Sequence, residues 1–332
     1  MTTTGASMPW RRACEGSALL RFLDWNLRGI GQVLFQDNAL SGLLFLVAIG
    51  WGAVALGVPE VAVGGLLAVL VATLTARWLR VDAAGLAAGL YGYNAFLLGI
   101  ALPTFLAASP LLWVFVVLGA LVSVIATRAL AEALKPLGIP VLTAPFVLVT
   151  LMLLLASNAF SGVDAAALPD VGFMAPIPPE AADPLRPLAF LEGVAHSLSQ
   201  VFVKGYVPSG LLILAGLAVG SRRAAGLALA GALIALLVAH LMGAESQLVT
   251  AGLVGFNPLL TAVALGAVFQ RPGVRTAIYA LLATVLTVLA QGAMVALITP
   301  FGVPTLTASF VLVTWLFLLA RLDSSTRSGP AS

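Results

Sequence analysis

The stretch Leu142-Thr-Ala-Pro-Phe-Val-Leu-Val-Thr-Leu-Met-Leu-Leu-Leu-Ala156 returns near the end of the chain as Leu306-Thr-Ala-Ser-Phe-Val-Leu-Val-Thr-Trp-Leu-Phe-Leu-Leu-Ala320. The two stretches agree at eleven of fifteen positions, at an offset of 164 residues. A shared apolar composition does not by itself place the same Thr, Phe and Val residues in the same order. The match therefore indicates two copies of one unit.

Two further blocks recur in the same order. Gly89-Leu-Tyr-Gly-Tyr-Asn-Ala-Phe-Leu97 corresponds to Gly252-Leu-Val-Gly-Phe-Asn-Pro-Leu-Leu260. Closer to the start of each copy, Gln32-Val33 followed by Ser41-Gly-Leu-Leu44 corresponds to Gln200-Val201 followed by Ser209-Gly-Leu-Leu212. Three ordered blocks predict an internal repeat that covers most of the chain.

The composition places this repeat in a membrane. Of 332 residues, 61% are hydrophobic and only 9% are charged, whereas a soluble domain carries roughly a quarter charged residues. The net charge of +3 is scattered along the chain, which excludes a surface that binds nucleic acid. With one cysteine, Cys14, and no His/Cys cluster of metal-ligand spacing, the sequence predicts no metal site and no cofactor.

A transmembrane helix needs about 20 mostly apolar residues, and the chain offers ten such segments. The first half has five, near 39–57, 61–76, 83–102, 110–130 and 139–158. The second half also has five, near 207–220, 224–242, 246–268, 276–298 and 303–320. Two short apolar segments, Ile30–Phe35 and Val194–Val203, precede the first span of each half. They are predicted to be re-entrant half-helices.

Five spans per copy is an odd number, so the second copy enters the bilayer from the opposite face. The predicted fold is an all-α integral membrane protein built as an inverted repeat of two five-span halves. Its expected parts are an amino-terminal segment at 1–20, a first half at 21–160, an extracytoplasmic linker at 161–189, a second half at 190–321 and a tail at 322–332.

The positive charges test this count, because Lys and Arg collect in cytoplasmic loops. With ten spans, only Arg186 and Lys204 of the sixteen Lys and Arg residues lie on the opposite side from the termini, which leaves fourteen on the termini's side. A missed span would reverse the sides of all later charges. We therefore expect both termini to be cytoplasmic.

Several repeated residues are candidates for lining a path. Tyr93 with Leu97, and Phe256 with Leu260, are pairs four residues apart that share a helix face, although such pairs also occur in ordinary cores. Thr143 and Thr307 begin the last span of each half. Their hydroxyls either bond back to their own helices or offer a donor and an acceptor to a polar solute.

Pumps and ion-coupled transporters keep ionisable residues inside the membrane, and these spans contain almost none. Nor do they contain a nucleophile elbow or paired carboxylates, so the chain is not expected to be an enzyme. A passive route for a small neutral solute fits best, and a membrane enzyme or assembly scaffold remains the alternative from another class.

Gln32-Val33-x-Phe35, Leu90-Tyr-Gly-Tyr-Asn94 with Leu97, and Pro140-x-x-Thr143-x-Pro-Phe146, each recurring in the second half, resemble the urea transporter family. The resemblance implies a homotrimer in a bacterial cytoplasmic (inner) membrane, surrounded by lipid, in which each subunit passes urea down its gradient. It places pore residues at Gln32, Val33, Phe35, Tyr93, Leu97, Thr143, Gln200, Val201, Phe256, Leu260 and Thr307. Val203 stands where the first half has Phe35, so another small amide or ammonia remains an alternative solute.

Overall fold

The computed structural model describes residues 8–160, 162–172, 186–203 and 205–320. Within these ranges the protein is helical, and an isolated antiparallel bridge joins Leu106 to Ala165. The expected tail at 322–332, residues 1–7 of the amino-terminal segment, and residues 161 and 173–185 of the linker lie outside the described ranges.

The helices divide between the two halves of the chain. The first half contains α1 (Met8–Gly16), α2 (Ala18–Gln32), α3 (Ala39–Ala55), α4 (Glu60–Trp78), α5 (Ala83–Ala87), α6 (Tyr93–Phe105), α7 (Pro110–Leu134) and α8 (Ala144–Ser157). The second half contains α9 (Pro187–Gln200), α10 (Val207–Gly220), α11 (Arg222–Leu241), α12 (Ser246–Thr250), α13 (Phe256–Val263), α14 (Val274–Ile298) and α15 (Ala308–Leu319).

Among the described residues, length and composition identify four helical segments that could cross a membrane, namely Glu60–Trp78, Pro110–Leu137, Arg222–Leu241 and Val274–Phe301. Large apolar side chains project from the outside of the protein: Trp78 is 77% exposed and Leu282 on α14 is 57% exposed. Exposing such surfaces to water costs free energy, whereas lipid tails are equally apolar and do not impose that cost. The structure is therefore that of an all-α membrane protein.

The segments near 83–102 and 246–268, predicted as continuous spans, are interrupted. A turn separates α5 from α6, and another separates α12 from α13. Gly89 and Gly252 occupy these turns with φ of 75° and 72°, a conformation that favours glycine. Hydropathy did not reveal the breaks because neither turn contains a charged residue that would interrupt an apolar segment.

The two segments predicted as short half-helices are the carboxyl-terminal ends of longer helices, α2 and α9. The helix α2 starts earlier than predicted because the side chain of Ser17 caps it and accepts a hydrogen bond from the Leu20 N–H at 3.4 Å. At 15 and 14 residues, both helices remain shorter than the roughly 20 residues that span a bilayer. The expected boundaries after residues 20 and 189 fall inside them.

Close helix contacts depend on small residues. A Cβ atom added to Gly64 on α4 would lie 2.2 Å from the carbonyl oxygen of Gly99 on α6. A Cβ atom added to Gly89 would lie 2.2 Å from the backbone nitrogen of Gly29, and one on Gly252 would lie 2.3 Å from that of Ser197. In lipid, such backbone approach supplies much of the packing between helices.

The two halves are joined by direct hydrogen bonds as well as by packing. The hydroxyl of Ser209 on α10 donates to the carbonyl oxygen of Ala48 on α3 at 2.6 Å. The indole N–H of Trp315 on α15 donates to the carbonyl oxygen of Pro140 at 2.8 Å. Both contacts lie between residues 161 or more positions apart in sequence, so the halves pack as one body.

Gly89→Ala is expected to destabilise the protein by about 2 kcal/mol or more, because alanine meets both an unfavourable φ and the backbone of Gly29. Thermal unfolding in detergent measures the effect. Gly226→Ala on α11 is the control, since no heavy atom lies within 4 Å of its added Cβ, and its melting temperature should not fall. Equal melting temperatures for the two variants would contradict this account of the turn.

Candidate functional site

The hydroxyls of Thr143 and Thr307 meet deep inside the protein. Their Oγ1 atoms lie 2.7 Å apart, and the two side chains are 4% and 3% exposed. Each threonine precedes the first residue of the last helix of its half, α8 or α15. Neither hydroxyl is bonded back to its own helix, the alternative that the sequence left open.

Each threonine follows a leucine in the left-handed region, with φ of 52° at Leu142 and 50° at Leu306. This conformation is rare for a bulky residue and costs on the order of 1–3 kcal/mol. Buried asparagines hold both turns: Asn94 donates to the carbonyl oxygen of Leu142 at 3.3 Å, and Asn257 donates to that of Leu306 at 3.0 Å. These amides fix the positions of the two threonines.

The hydroxyl of Tyr93 also donates to the carbonyl oxygen of Leu142, at 2.5 Å. Phe256 occupies the corresponding position in the second half and has no hydroxyl. The oxygen of Tyr93 is therefore part of the scaffold around Thr143, and its ring is 9% exposed.

A cavity of about 560 Å³ opens beside Thr307. Four of the predicted residues line it, namely Gln200, Val201, Phe256 and Thr307. Most of its other lining side chains are apolar. They come mainly from α14, from the end of α11 and from the turn before α13, together with Phe105, Phe146 and Pro169 from the first part of the chain. The arrangement combines apolar walls with few polar groups, as is typical of small-molecule sites.

The cavity is lined by a valine, Val203, at the position where the first half has the aromatic residue Phe35. In the first half the ring of Phe35 packs edge-on against Phe269 and Phe310, with centroid distances of 5.8 and 6.2 Å. In the second half Val203 has the same backbone conformation, with φ of 59° against 61° at Phe35. Val203 lines the cavity together with Phe105 and Phe146, the repeat counterparts of Phe269 and Phe310. The smaller side chain leaves the space open.

Gln32 and Gln200 end α2 and α9, and each is held by one hydrogen bond. The amide nitrogen of Gln32 donates to the carbonyl oxygen of Ala88 at 2.9 Å, and that of Gln200 donates to the carbonyl oxygen of Ala251 at 3.1 Å. These bonds use the nitrogen of each amide and orient the side chain. The side-chain oxygen of each glutamine remains an acceptor.

The structure does not bring all eleven predicted residues into one cavity. Seven of them do not line it, namely Gln32, Val33, Phe35, Tyr93, Leu97, Thr143 and Leu260, and Leu97 and Leu260 are each 1% exposed. The repeated sequence blocks did not point to Gln291 and Thr305, which line the cavity. Gln291 could have been found as a polar residue within an apolar span, which often marks a functional position. Its counterpart in the first half is Thr127, so it is not one of the repeated residues.

Known proteins that resemble this chain point to the same family. The family model described as urea transporter matches residues 23–322. The chain is 30% identical to urea transporter 1 of Ovis aries over 303 residues, covering 90% of this chain and 77% of the relative. It is also 30% identical to urea transporter 1 of Mus musculus over 304 residues, covering 91% and 77%.

Thr143→Val and Thr307→Val are each expected to cost about 1–2 kcal/mol of stability, because each leaves the opposite buried hydroxyl without its partner. The double variant removes both hydroxyls and should cost clearly less than the sum of the two single variants. Unfolding free energies of the four proteins in detergent measure the coupling. Additive costs would show that the two hydroxyls do not interact.

Proposed function

Because the chain belongs to the urea transporter family, we propose that it conducts urea passively, down its concentration gradient, along a path between its two halves. One observation carries this proposal: Thr307 lines an apolar cavity, and its hydroxyl is paired with that of Thr143 from the other half. Polar groups at the meeting point of two halves suit a small polar solute.

We propose ten crossings arranged as an inverted repeat, with halves at 21–160 and 190–321. Six apolar helices of 10–17 residues supplement the four longer segments. The helices from α2 to α8 recur in order as α9 to α15. Left-handed residues also recur in pairs, at 35 and 203, 89 and 252, 138 and 302, and 142 and 306. Half-length helices of this kind supply solute-binding groups in transporters with inverted repeats.

Urea is flat and neutral, and its two amino groups carry four N–H donors. In the proposed path the side-chain oxygens of Gln32 and Gln200 accept from these donors, one at each mouth. The backbone oxygens of Val33 and Val201, at the ends of α2 and α9, add acceptors because the last carbonyls of a helix lack partners within it. Each acceptor replaces a hydrogen bond that an N–H group made to water. Without that replacement, burying the N–H group would cost a few kcal/mol.

The proposed walls select the shape of the solute. Phe35 and Tyr93 on one side, and Phe256 on the other, bound a slot that suits a planar molecule, and Leu97 and Leu260 back these rings one helical turn away. At the midpoint the Thr143–Thr307 bond uses one hydrogen and one lone pair, so one hydrogen and three lone pairs remain for urea. The solute therefore finds both a donor and an acceptor there.

Ions are expected to be excluded, because a narrow neutral path cannot replace their hydration. Glu245 is the ionisable residue among the described lining residues of the cavity. It stands just before α12, at the outer end of the cavity in the proposed topology. The part of the path beside Thr143 and Thr307 therefore carries no charge in this proposal.

The orientation, the oligomeric state and the membrane of the protein are proposed from its charges and from the resemblance to the family. The charge asymmetry between the loops supports cytoplasmic termini. A homotrimer with one pore per subunit, surrounded by lipid in a bacterial cytoplasmic membrane, is carried over from the resemblance to the family.

Stopped-flow efflux from proteoliposomes tests the function. We expect urea flux well above that of empty liposomes and without saturation. Val203→Phe should lower it by about tenfold, because the ring would narrow this end of the path in the way that Phe35 narrows the other end. The control is Val219→Phe on α10, where the side chain is 47% exposed on the outer surface, and its flux should match that of the unaltered protein.

The unaltered protein decides between solutes in the same assay. Urea flux no faster than in empty liposomes, together with rapid movement of ammonia, formamide or acetamide, would overturn urea as the solute. Rapid urea flux that is unchanged by Val203→Phe would place the path elsewhere in the protein.

A further inference from the structure

A cluster of polar side chains lies at the wall of the cavity in the second half. The side-chain oxygen of Gln291 on α14 accepts hydrogen bonds from the amide of Asn257 and the hydroxyl of Ser309, each at 2.5 Å. Its amide nitrogen donates to the hydroxyl oxygen of Thr305 at 3.3 Å. Gln291 and Thr305 are each 7% exposed, and both line the cavity with Thr307.

The hydrogen bonds leave donors unused in this cluster. Two bonds occupy both lone pairs of the Gln291 oxygen, which fixes the amide with its nitrogen toward Thr305. One of the two N–H groups of that nitrogen bonds to Thr305, and the other has no partner among the described residues. The oxygen of Thr305 accepts this bond, so its own hydrogen remains free to donate. Two neighbouring donors are thus available at the cavity wall.

The first half lacks this cluster. At the positions 164 residues earlier, Thr127 replaces Gln291, Val141 replaces Thr305 and Pro145 replaces Ser309. The hydroxyl of Thr127 donates to the carbonyl oxygen of Ser123 in its own helix at 2.8 Å. The donors therefore belong to the end of the proposed path that holds the cavity, which we call the wide mouth, and they have no counterpart in the first half.

The neighbouring asparagines reflect the same difference. The side-chain oxygen of Asn94 accepts from the backbone N–H of Phe146 at 3.2 Å. The equivalent oxygen of Asn257 is buried and has no partner among the described residues. Gln291 instead engages the amide nitrogen of Asn257. This change in the second half ties the cluster to the turn that positions Thr307.

We propose that Gln291 and Thr305 form a donor pair that binds the carbonyl oxygen of the solute in the wide mouth. This inference rests on the proposed function. It concerns the carbonyl oxygen of urea, which is an acceptor and cannot bond to the acceptors at Gln200 and Val201. Oxygen acceptors hold the N–H groups, while the donor pair holds the C=O group. The mouth then favours planar solutes that carry both an amide N–H and a strong carbonyl acceptor.

Thiourea separates this role from a structural one, because it keeps the shape and the N–H donors but replaces the oxygen with sulfur, a weaker acceptor. Thr305→Val should lower urea flux about fivefold, the ratio expected for one hydrogen bond, and should leave thiourea flux nearly unchanged. Gln291→Met, like Thr305→Val, should lower the ratio of urea flux to thiourea flux. Stopped-flow efflux from proteoliposomes measures both solutes.

Thr127→Val, at the counterpart of Gln291 in the first half, is the matched control and should leave the flux ratio unchanged. Equal losses of urea and thiourea flux in Thr305→Val and Gln291→Met would show that the cluster only supports the fold, which overturns the inference while the urea channel stands. If the unaltered protein carries no urea above empty liposomes, the proposed function fails and the inference fails with it.

Discussion

The hydrogen bond between the hydroxyls of Thr143 and Thr307 joins the two halves at the starts of α8 and α15, where the threonine oxygens lie 2.7 Å apart. Each threonine is held by a strained turn whose carbonyl oxygen binds a buried asparagine. Those asparagines follow the breaks at Gly89 and Gly252. A series of polar contacts therefore links the interrupted segments, through the asparagines and the leucine carbonyls, to the two threonines.

The two ends of the proposed path differ although their backbones correspond. Phe35 packs against two rings on one side, whereas Val203 leaves a cavity of about 560 Å³ on the other. The same side carries Gln291 and Thr305 where the first half has Thr127 and Val141. One mouth is thus narrow and aromatic, and the other is wider and carries more hydrogen-bond donors. Asn94 and Asn257 hold the turns before Thr143 and Thr307 in the same way, so the difference between the two ends lies in the side chains around them.

The membrane location of the chain was predictable from its hydropathy, and the family and urea transport were predictable from the resemblance of the repeated motifs to the urea transporter family. The interruptions at Gly89 and Gly252 were not, because hydropathy does not report φ. The lengths of α2 and α9 were missed for a related reason: Ser17 caps α2 and Pro187 is the first residue of α9, and hydropathy does not report where a helix begins. Gln291 was missed because a search for repeated residues passes over a residue that occurs in one half. That Thr143 and Thr307 touch is a packing result that no local pattern contains.

The central claim is that urea passes between the halves, beside the paired threonines. A structure of the protein in complex with selenourea tests it most directly, because anomalous scattering locates the selenium atom without ambiguity. We expect a selenium peak in the cavity beside Thr307, within the space bounded by Phe256 and Gln200. Selenium found only between subunits or on the lipid-facing surface, with the cavity empty, would contradict the claim.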